Sequence, residues 1–284
     1  MKVLIATDKP FAKIAVEGIR QEIETAGFEL SLLEKYTEKQ QLLNAVADVD
    51  AIIIRSDLID AEVISAAKQL KIVVRAGAGY DNVDLEAATK AGVCVMNTPG
   101  QNSNAVAELV FGLLVYAVRN FYNGTSGSEL MGKKLGIHAY GNVGRNVARI
   151  AKGFGMKIYA YDAFCPDSVM EQDAVIPVKS AEELYAISDI VSLHIPATAE
   201  TKKSINSALL GRLPKGAILV NTARKEVIDE TQLLDFMMSR PDFKYVTDIM
   251  PGNDAELKVK LAGRYFTTPK KWGHKLQKRI LMQV

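Results

Sequence analysis

Residues 136–162 read GIHAYGNVGRNVARIAKGFGMKIYAYD, and much of the remaining chain repeats their rhythm. A strand-like run, KLGIHA (134–139), meets a tight turn; a helical pattern starts at about Asn142, and KIYAYD (157–162) forms a second strand-like run. Strand, turn, helix, strand is the βαβ unit of a parallel sheet. The turn itself reads A-Y-G-N-V-G, one glycine short of G-x-G-x-x-G. Gly144 lets the helix pack close to the sheet. Gly141 lets a pyrophosphate approach the backbone, and Asn142 and Val143 open the helix whose N-terminus favours its charge. Ala139 occupies the place of the first glycine, which costs energy only if its φ is positive. Asp162 follows Gly144 by 18 residues (162 − 144), close to the roughly 20 expected of a carboxylate that bonds a ribose 2′-hydroxyl. Such a carboxylate repels a 2′-phosphate. The pattern predicts a dinucleotide site that takes NAD rather than NADP, against the plainer alternative of an incidental strand-turn-helix.

Working outward, the same alternation recurs twice. Candidate strands at 2–6, 28–33, 51–55, 71–76 and 93–97 make one series, and 134–139, 157–162, 189–195, 217–222 and 244–249 make another. Between the first two, FAKIAVEGIRQEIETAG (11–27) carries helical spacing and stops at Gly27. Two series predict an α/β protein of two domains with parallel sheets, Rossmann-like and flavodoxin-like. Pro99 and Gly100 punctuate the crossover, giving domains of 1–98 and 99–270, and a long apolar helix follows from about Asn104.

Composition narrows the function classes. With 284 residues, 48% hydrophobic, 24% charged and a net charge of +2, the chain reads as a globular protein with sizeable cores. It lacks the basic balance of a nucleic-acid binder. The N-terminus is neither a signal peptide nor a membrane span. Cys94 and Cys165 stand far apart with no metal-ligand spacing, so no metal is expected and buried or inert thiols in a reducing cytoplasm are.

Five further segments carry a resemblance: VVRAGAGYDNVD (73–84), NTPGQNSNAVAEL (97–109), SLHIPATAET (192–201), LVNTARKEVIDE (219–230) and YVTDIMP (245–251). In order and over most of the chain they resemble the D-isomer-specific 2-hydroxyacid dehydrogenases. IIIRSD (52–57), Arg75 and the short connector NFYNGTSGSELMGKK (120–134) are similar to that family's compact phosphoglycerate dehydrogenases. The resemblance implies an NAD domain inserted into a substrate domain, to which the segment 271–284 returns, and a homodimer. It implies NAD-dependent oxidation of D-3-phosphoglycerate. A glyoxylate or hydroxypyruvate reductase, or a catalytically silent NAD(H)-binding protein, are the alternatives.

The implied roles suit the residue types. Arg224 would hold the substrate carboxylate and polarise the C2 oxygen with its planar fork. Backbone N–H groups of Gly77, Ala78 and Gly79 would assist at the carboxylate. Arg55 and Arg75, ending adjacent strands, would neutralise a phosphate, with Ser56 and Asn102 also in the substrate site. Asp248 would accept from the nicotinamide carboxamide, and His194, Ile195, Pro196, Thr222 and Ala223 would line the cofactor. His138, inside the fingerprint strand, is expected to be packed rather than reactive.

Two positions depart from the family. Its acid/base histidine, in TPH, is replaced by TTPKKWG with Lys270 and Lys271, and Asn253 stands where a carboxylate orients that histidine. A lysine can carry the proton if burial or nearby cations lower its pKa; solvated lysines are the alternative. The tail KKWGHKLQKRILMQV (270–284) changes character, with the only tryptophan at Trp272. Shifted by one base near Lys271, an allowed back-translation reads MGAQTAEANINAG, which resembles the residues C-terminal to the family's catalytic segment. A frameshift is therefore the expected origin of the tail, and His274 is not taken as the missing histidine.

Overall fold

Runs such as AIII (51–54) and ILVN (218–221) are apolar at nearly every position and buried throughout. Such strands belong inside parallel sheets covered on both faces. The computed structural model describes residues 1–268 and holds two compact units, the first Met1–Asn102 and the second beginning at Ser103. The division falls beyond the punctuating Pro99 and Gly100.

The first unit has β1 (Lys2–Thr7), β2 (Glu29–Glu34), β3 (Ala51–Ile54), β4 (Ile72–Arg75) and β5 (Cys94–Asn97), all parallel, in the order β2-β1-β3-β4-β5. Side chains alternate between its faces. Leu4, Ala6, Ile52, Ile54 and Val73 pack on one, and Val3, Ile5, Ala51, Ile53 and Ala76 on the other. Helices α1 (Lys13–Thr25), α2 (Lys39–Ala45), α3 (Ala61–Ala66) and α4 (Leu85–Lys90) connect the strands. Gly27 ends α1 as the sequence suggests, at φ 75°, its N–H donating to the Glu24 carbonyl at 3.0 Å.

In the second unit α5 (Ser103–Val118) leads into β6 (Lys134–His138), α6 (Asn142–Gly153), β7 (Lys157–Tyr161), α7 (Asp167–Gln172) and β8 (Ile176–Pro177). There follow α8 (Ala181–Ile187), β9 (Ile190–Leu193), α9 (Ser207–Leu210), β10 (Ile218–Asn221), α10 (Glu230–Ser239), β11 (Lys244–Thr247), α11 (Asp254–Lys260) and β12 (Tyr265–Thr267). The sheet is parallel with order β12-β11-β10-β9-β6-β7-β8. Its two edges, β8 and β12, escape the sequence pattern because they have only two and three residues. Pro177 in β8 has no N–H to donate, which suits an edge alone.

Both sheets have a point where the strand order reverses, between β1 and β3 in the first and between β6 and β9 in the second. Ligands of open α/β sheets bind outside the carboxyl ends of the strands at such points. Cys94, which starts a strand at the sheet edge, is exposed and Cys165 is half-buried, so of the two alternatives, buried or inert, burial does not describe Cys94. Among the described residues no helix is long and apolar enough to cross a membrane, and no cluster of His, Cys, Asp or Glu could hold a metal.

Candidate functional site

Strand register assembles the second unit's candidates. The last paired row runs Tyr161, His138, Leu193, Asn221 and Thr247 across β7, β6, β9, β10 and β11. The next residue on each strand is therefore Asp162, Ala139, His194, Thr222 and Asp248. Residues far apart along the sequence thus share one carboxyl edge, on both sides of the switch point.

At the glycine turn, Ala139 has φ 80°, so the condition set by the sequence is met. A left-handed alanine costs roughly 1–2 kcal/mol. Gly144 is required for space: a Cβ there would overlap the Ala139 carbonyl oxygen and lie 3.1 Å from Ile137 Cγ2. Gly141 caps α6 with no side-chain hydrogen bond, and nothing fills the space where its Cβ would stand. The first N–H groups of the helix, at Asn142 and Val143, therefore lack a side-chain cap and have room for an anion. Asp162 is aimed at this turn. One carboxylate oxygen accepts from Tyr140 N–H at 2.7 Å, the other from the N–H groups of Phe164 (2.8 Å) and Cys165 (2.9 Å).

The two histidines of this edge are not proton carriers near neutrality. His138 is buried, within 3.3 Å of the Tyr185 hydroxyl, and burial lowers its pKa to about 4. His194 Nε2 lies 2.8 Å from Ser192 Oγ, and burial lowers it to about 3. His138 is packed, as its place in the strand suggested. Next to His194, Ile195 is buried and Pro196 exposed.

Arg224 is set by a turn that the motifs did not reveal. Asn221, fully buried, donates from Nδ2 to the Arg224 carbonyl (2.9 Å) and accepts from Ala223 N–H (2.9 Å). Thr247 Oγ1 donates to the Asn221 carbonyl at 2.7 Å and accepts from Ile249 N–H at 3.0 Å, bending the chain at Asp248. The only signal of either residue is a polar end to an apolar strand. Arg224 Nη1 donates to the Ala223 carbonyl at 2.8 Å. Burial raises the Asp248 carboxyl to about 6, and the charge of Arg224 opposes that rise. Thr222 Oγ1 and Asp248 Oδ1 are buried and have no protein partner. Two orphaned acceptors, an uncapped helix, open space over Gly141 and Asp162 beside it fit a dinucleotide laid along the edge.

In the first unit the turn after β4 is held by Asn97, whose Nδ2 donates to the Ala78 carbonyl at 2.6 Å, and by Thr98 N–H on the Gly77 carbonyl at 2.9 Å. Gly79 is half-buried beside them, and Ser56 is exposed. Arg75 pairs with Ile54, not with Arg55. Arg75 and Arg55 therefore leave their adjacent strands on opposite faces of the sheet. Both still reach the carboxyl edge: the Arg75 guanidinium lies over Gly77, where any Cβ would collide with it, and Arg55 feels the charges of Asp8 and Asp57. Asn102 closes the first unit. Asn253 precedes α11, with Nδ2 3.4 Å from the Glu230 carbonyl and Oδ1 buried without a partner. Lys270, Lys271, the return segment 271–284 and the frameshift reading of the tail lie outside the described residues.

The model of the family described as "D-isomer specific 2-hydroxyacid dehydrogenase, NAD binding domain" matches residues 116–269. The chain is 38% identical over 225 residues to a hydroxypyruvate reductase of Thermotoga maritima, covering 74% of this chain and 72% of that protein. It is equally 38% identical, over 211 residues, to a D-3-phosphoglycerate dehydrogenase of Methanocaldococcus jannaschii, covering 69% of this chain but only 40% of the longer relative. The NAD+-bound crystal structure of 3-phosphoglycerate dehydrogenase from Entamoeba histolytica is 43% identical with a TM-score of 0.92, covering 100% of this chain and 92% of that one.

Proposed function

Because the chain belongs to the D-isomer-specific 2-hydroxyacid dehydrogenases, we propose that it oxidises D-3-phosphoglycerate to 3-phosphohydroxypyruvate, a step toward serine. The observation that carries the substrate is the arrival of Arg55 and Arg75 at the carboxyl edge of one sheet. Two guanidinium groups there suit a phosphate dianion, which an unphosphorylated hydroxy acid does not offer. Bound NAD supplies the acceptor for the C2 hydrogen. Asp162 accepts from the ribose hydroxyls, and Asp248 and Thr222 offer acceptors to the carboxamide. Arg224 holds the substrate carboxylate and draws charge toward the C2 oxygen, and Lys270 or Lys271 removes the hydroxyl proton. The subunits would pair through the apolar helix α5, and a monomer in light scattering would count against that.

The test is NADH formation by the purified full chain from D-3-phosphoglycerate. A second reading has equal identity behind it: turnover of hydroxypyruvate or glyoxylate, without the phosphorylated acid, makes the protein a reductase of those acids. NADH binding with no turnover of any 2-hydroxy acid would leave a nucleotide-sensing protein. In either active case Asp162→Ala should weaken NAD binding and relax discrimination against NADP.

A further inference from the structure

Asp57 is a buried carboxylate, 4% exposed, at the switch point of the first sheet. Its Oδ1 accepts from Asp8 N–H in the loop after β1 and from the Tyr36 hydroxyl after β2, both at 2.7 Å. Its Oδ2 accepts from the Arg55 N–H at 3.3 Å, and its carbonyl from Asn82 Nδ2 at 2.7 Å. One aspartate thus ties together the loops after β1, β2 and β3 and the segment that follows the Gly77 turn. Burial, then the bond to Asp57, raise the Tyr36 hydroxyl, so it remains a donor at any ordinary pH. A buried acid is costly unless such donors surround it, and here each donor comes from a loop at the carboxyl edge.

We infer that Asp57, supported by Tyr36, is a positioning residue that sets Arg55 for the substrate's phosphate and so makes the site select phosphorylated acids. The inference rests on the proposed role of Arg55 as a phosphate anchor. Arg55 has lost part of its solvent: burial lowers its pKa, and the charges of Asp8 and Asp57 oppose that. An exposed acid beside a phosphate site would weaken binding by repulsion. Asp57 instead spends its oxygens on three N–H or O–H donors, and its contribution is the geometry of the loop. Asp57→Asn keeps the shape and the two contacts to Oδ1 but can turn an amide donor toward the Arg55 N–H. Tyr36→Phe removes a single donor and leaves the charge.

Isothermal titration of the full chain with NAD bound, using D-3-phosphoglycerate and D-glycerate as separate probes, tests this without requiring turnover. Asp57→Asn is expected to weaken phosphoglycerate binding about tenfold, the scale of one charge-assisted hydrogen bond, and to leave D-glycerate unchanged. Tyr36→Phe should do the same to a smaller degree, about threefold. Equal weakening toward both probes would mean that Asp57 merely holds the fold, and tighter phosphoglycerate binding in Asp57→Asn would mean that repulsion dominates; either overturns the inference. So would wild-type binding that does not favour the phosphorylated probe. If the wild type binds phosphoglycerate preferentially but does not oxidise it, the proposed activity falls while the role of Asp57 stands.

Discussion

The turns after β6 and β4 each follow a parallel strand at the carboxyl edge of its sheet, yet they need glycine for different reasons. At Gly144 the reason is space, since a Cβ would meet the Ala139 carbonyl oxygen. At position 139 the reason is conformation: φ is 80°, and an alanine is held there against its preference. At Gly77 both apply, with φ at 158° and the Arg75 guanidinium in the place of a side chain. A motif letter therefore stands for different physical demands at successive positions. The demand that can be relaxed, the left-handed φ, is the one at which the sequence departs from the fingerprint.

The largest effect is expected at Gly144. Gly144→Ala should cost on the order of 2–3 kcal/mol through overpacking against backbone and abolish NADH binding in a fluorescence titration; retained affinity would show that the helix can back away from the turn. Gly77→Ala should divide the two turns functionally. It strains the backbone by about 1–2 kcal/mol and displaces Arg75, so KM for the phosphorylated acid should rise roughly tenfold with NADH affinity unchanged. A loss of NADH affinity in this variant would remove the distinction.

A smaller effect separates the far end of the cofactor edge from the turn. The Asp248 carboxyl, raised by burial to about 6, takes up a proton as pH falls through that value and then ceases to be a pure acceptor. NAD affinity should weaken below about pH 6, by at most tenfold per pH unit for one proton, and Asp248→Asn should abolish the dependence. The histidines do not confuse the window, being neutral down to about 4 at His138 and 3 at His194. The raised carboxyl also has a stability consequence of definite sign. The folded state binds the proton more tightly than the unfolded chain between about pH 4 and 6, so this group's contribution favours folding below that window and is lost as pH rises through it. The smallest expected effect is at the relaxed position: Ala139→Gly should raise stability by about 0.5–1 kcal/mol, strain relieved less the entropy of glycine. A lower melting temperature would mean that the turn is not strained.

Much of this was legible along the chain because it depends on local spacing. Alternating strand and helix patterns announced two parallel sheets. The 18-residue step from Gly144 to Asp162 is one helix and one strand long, so it places the carboxylate beside the turn whatever the rest of the fold does. Asn221 and Thr247 were not legible. Their importance comes from a hydrogen bond between neighbouring strands, and nothing in ILVN or KYVT tells which polar end will meet which.

Local spacing along the chain sets the alternation of strands and helices, short edge strands β8 and β12 apart, together with the cofactor turn and the chemical types that gather beyond it. Tertiary structure alone decided that Ala139 lies at positive φ, that Arg55 and Arg75 leave their sheet on opposite faces, and that Asp57 is buried among donors from several loops. The physical reason is that periodicity within a segment is a property of adjacent residues, whereas register between strands is a long-range choice. Shifting a strand by one residue reverses every side chain it carries. The pairing of Arg75 with Ile54 rather than Arg55 is such a choice, and it sets from which side each guanidinium comes to the edge.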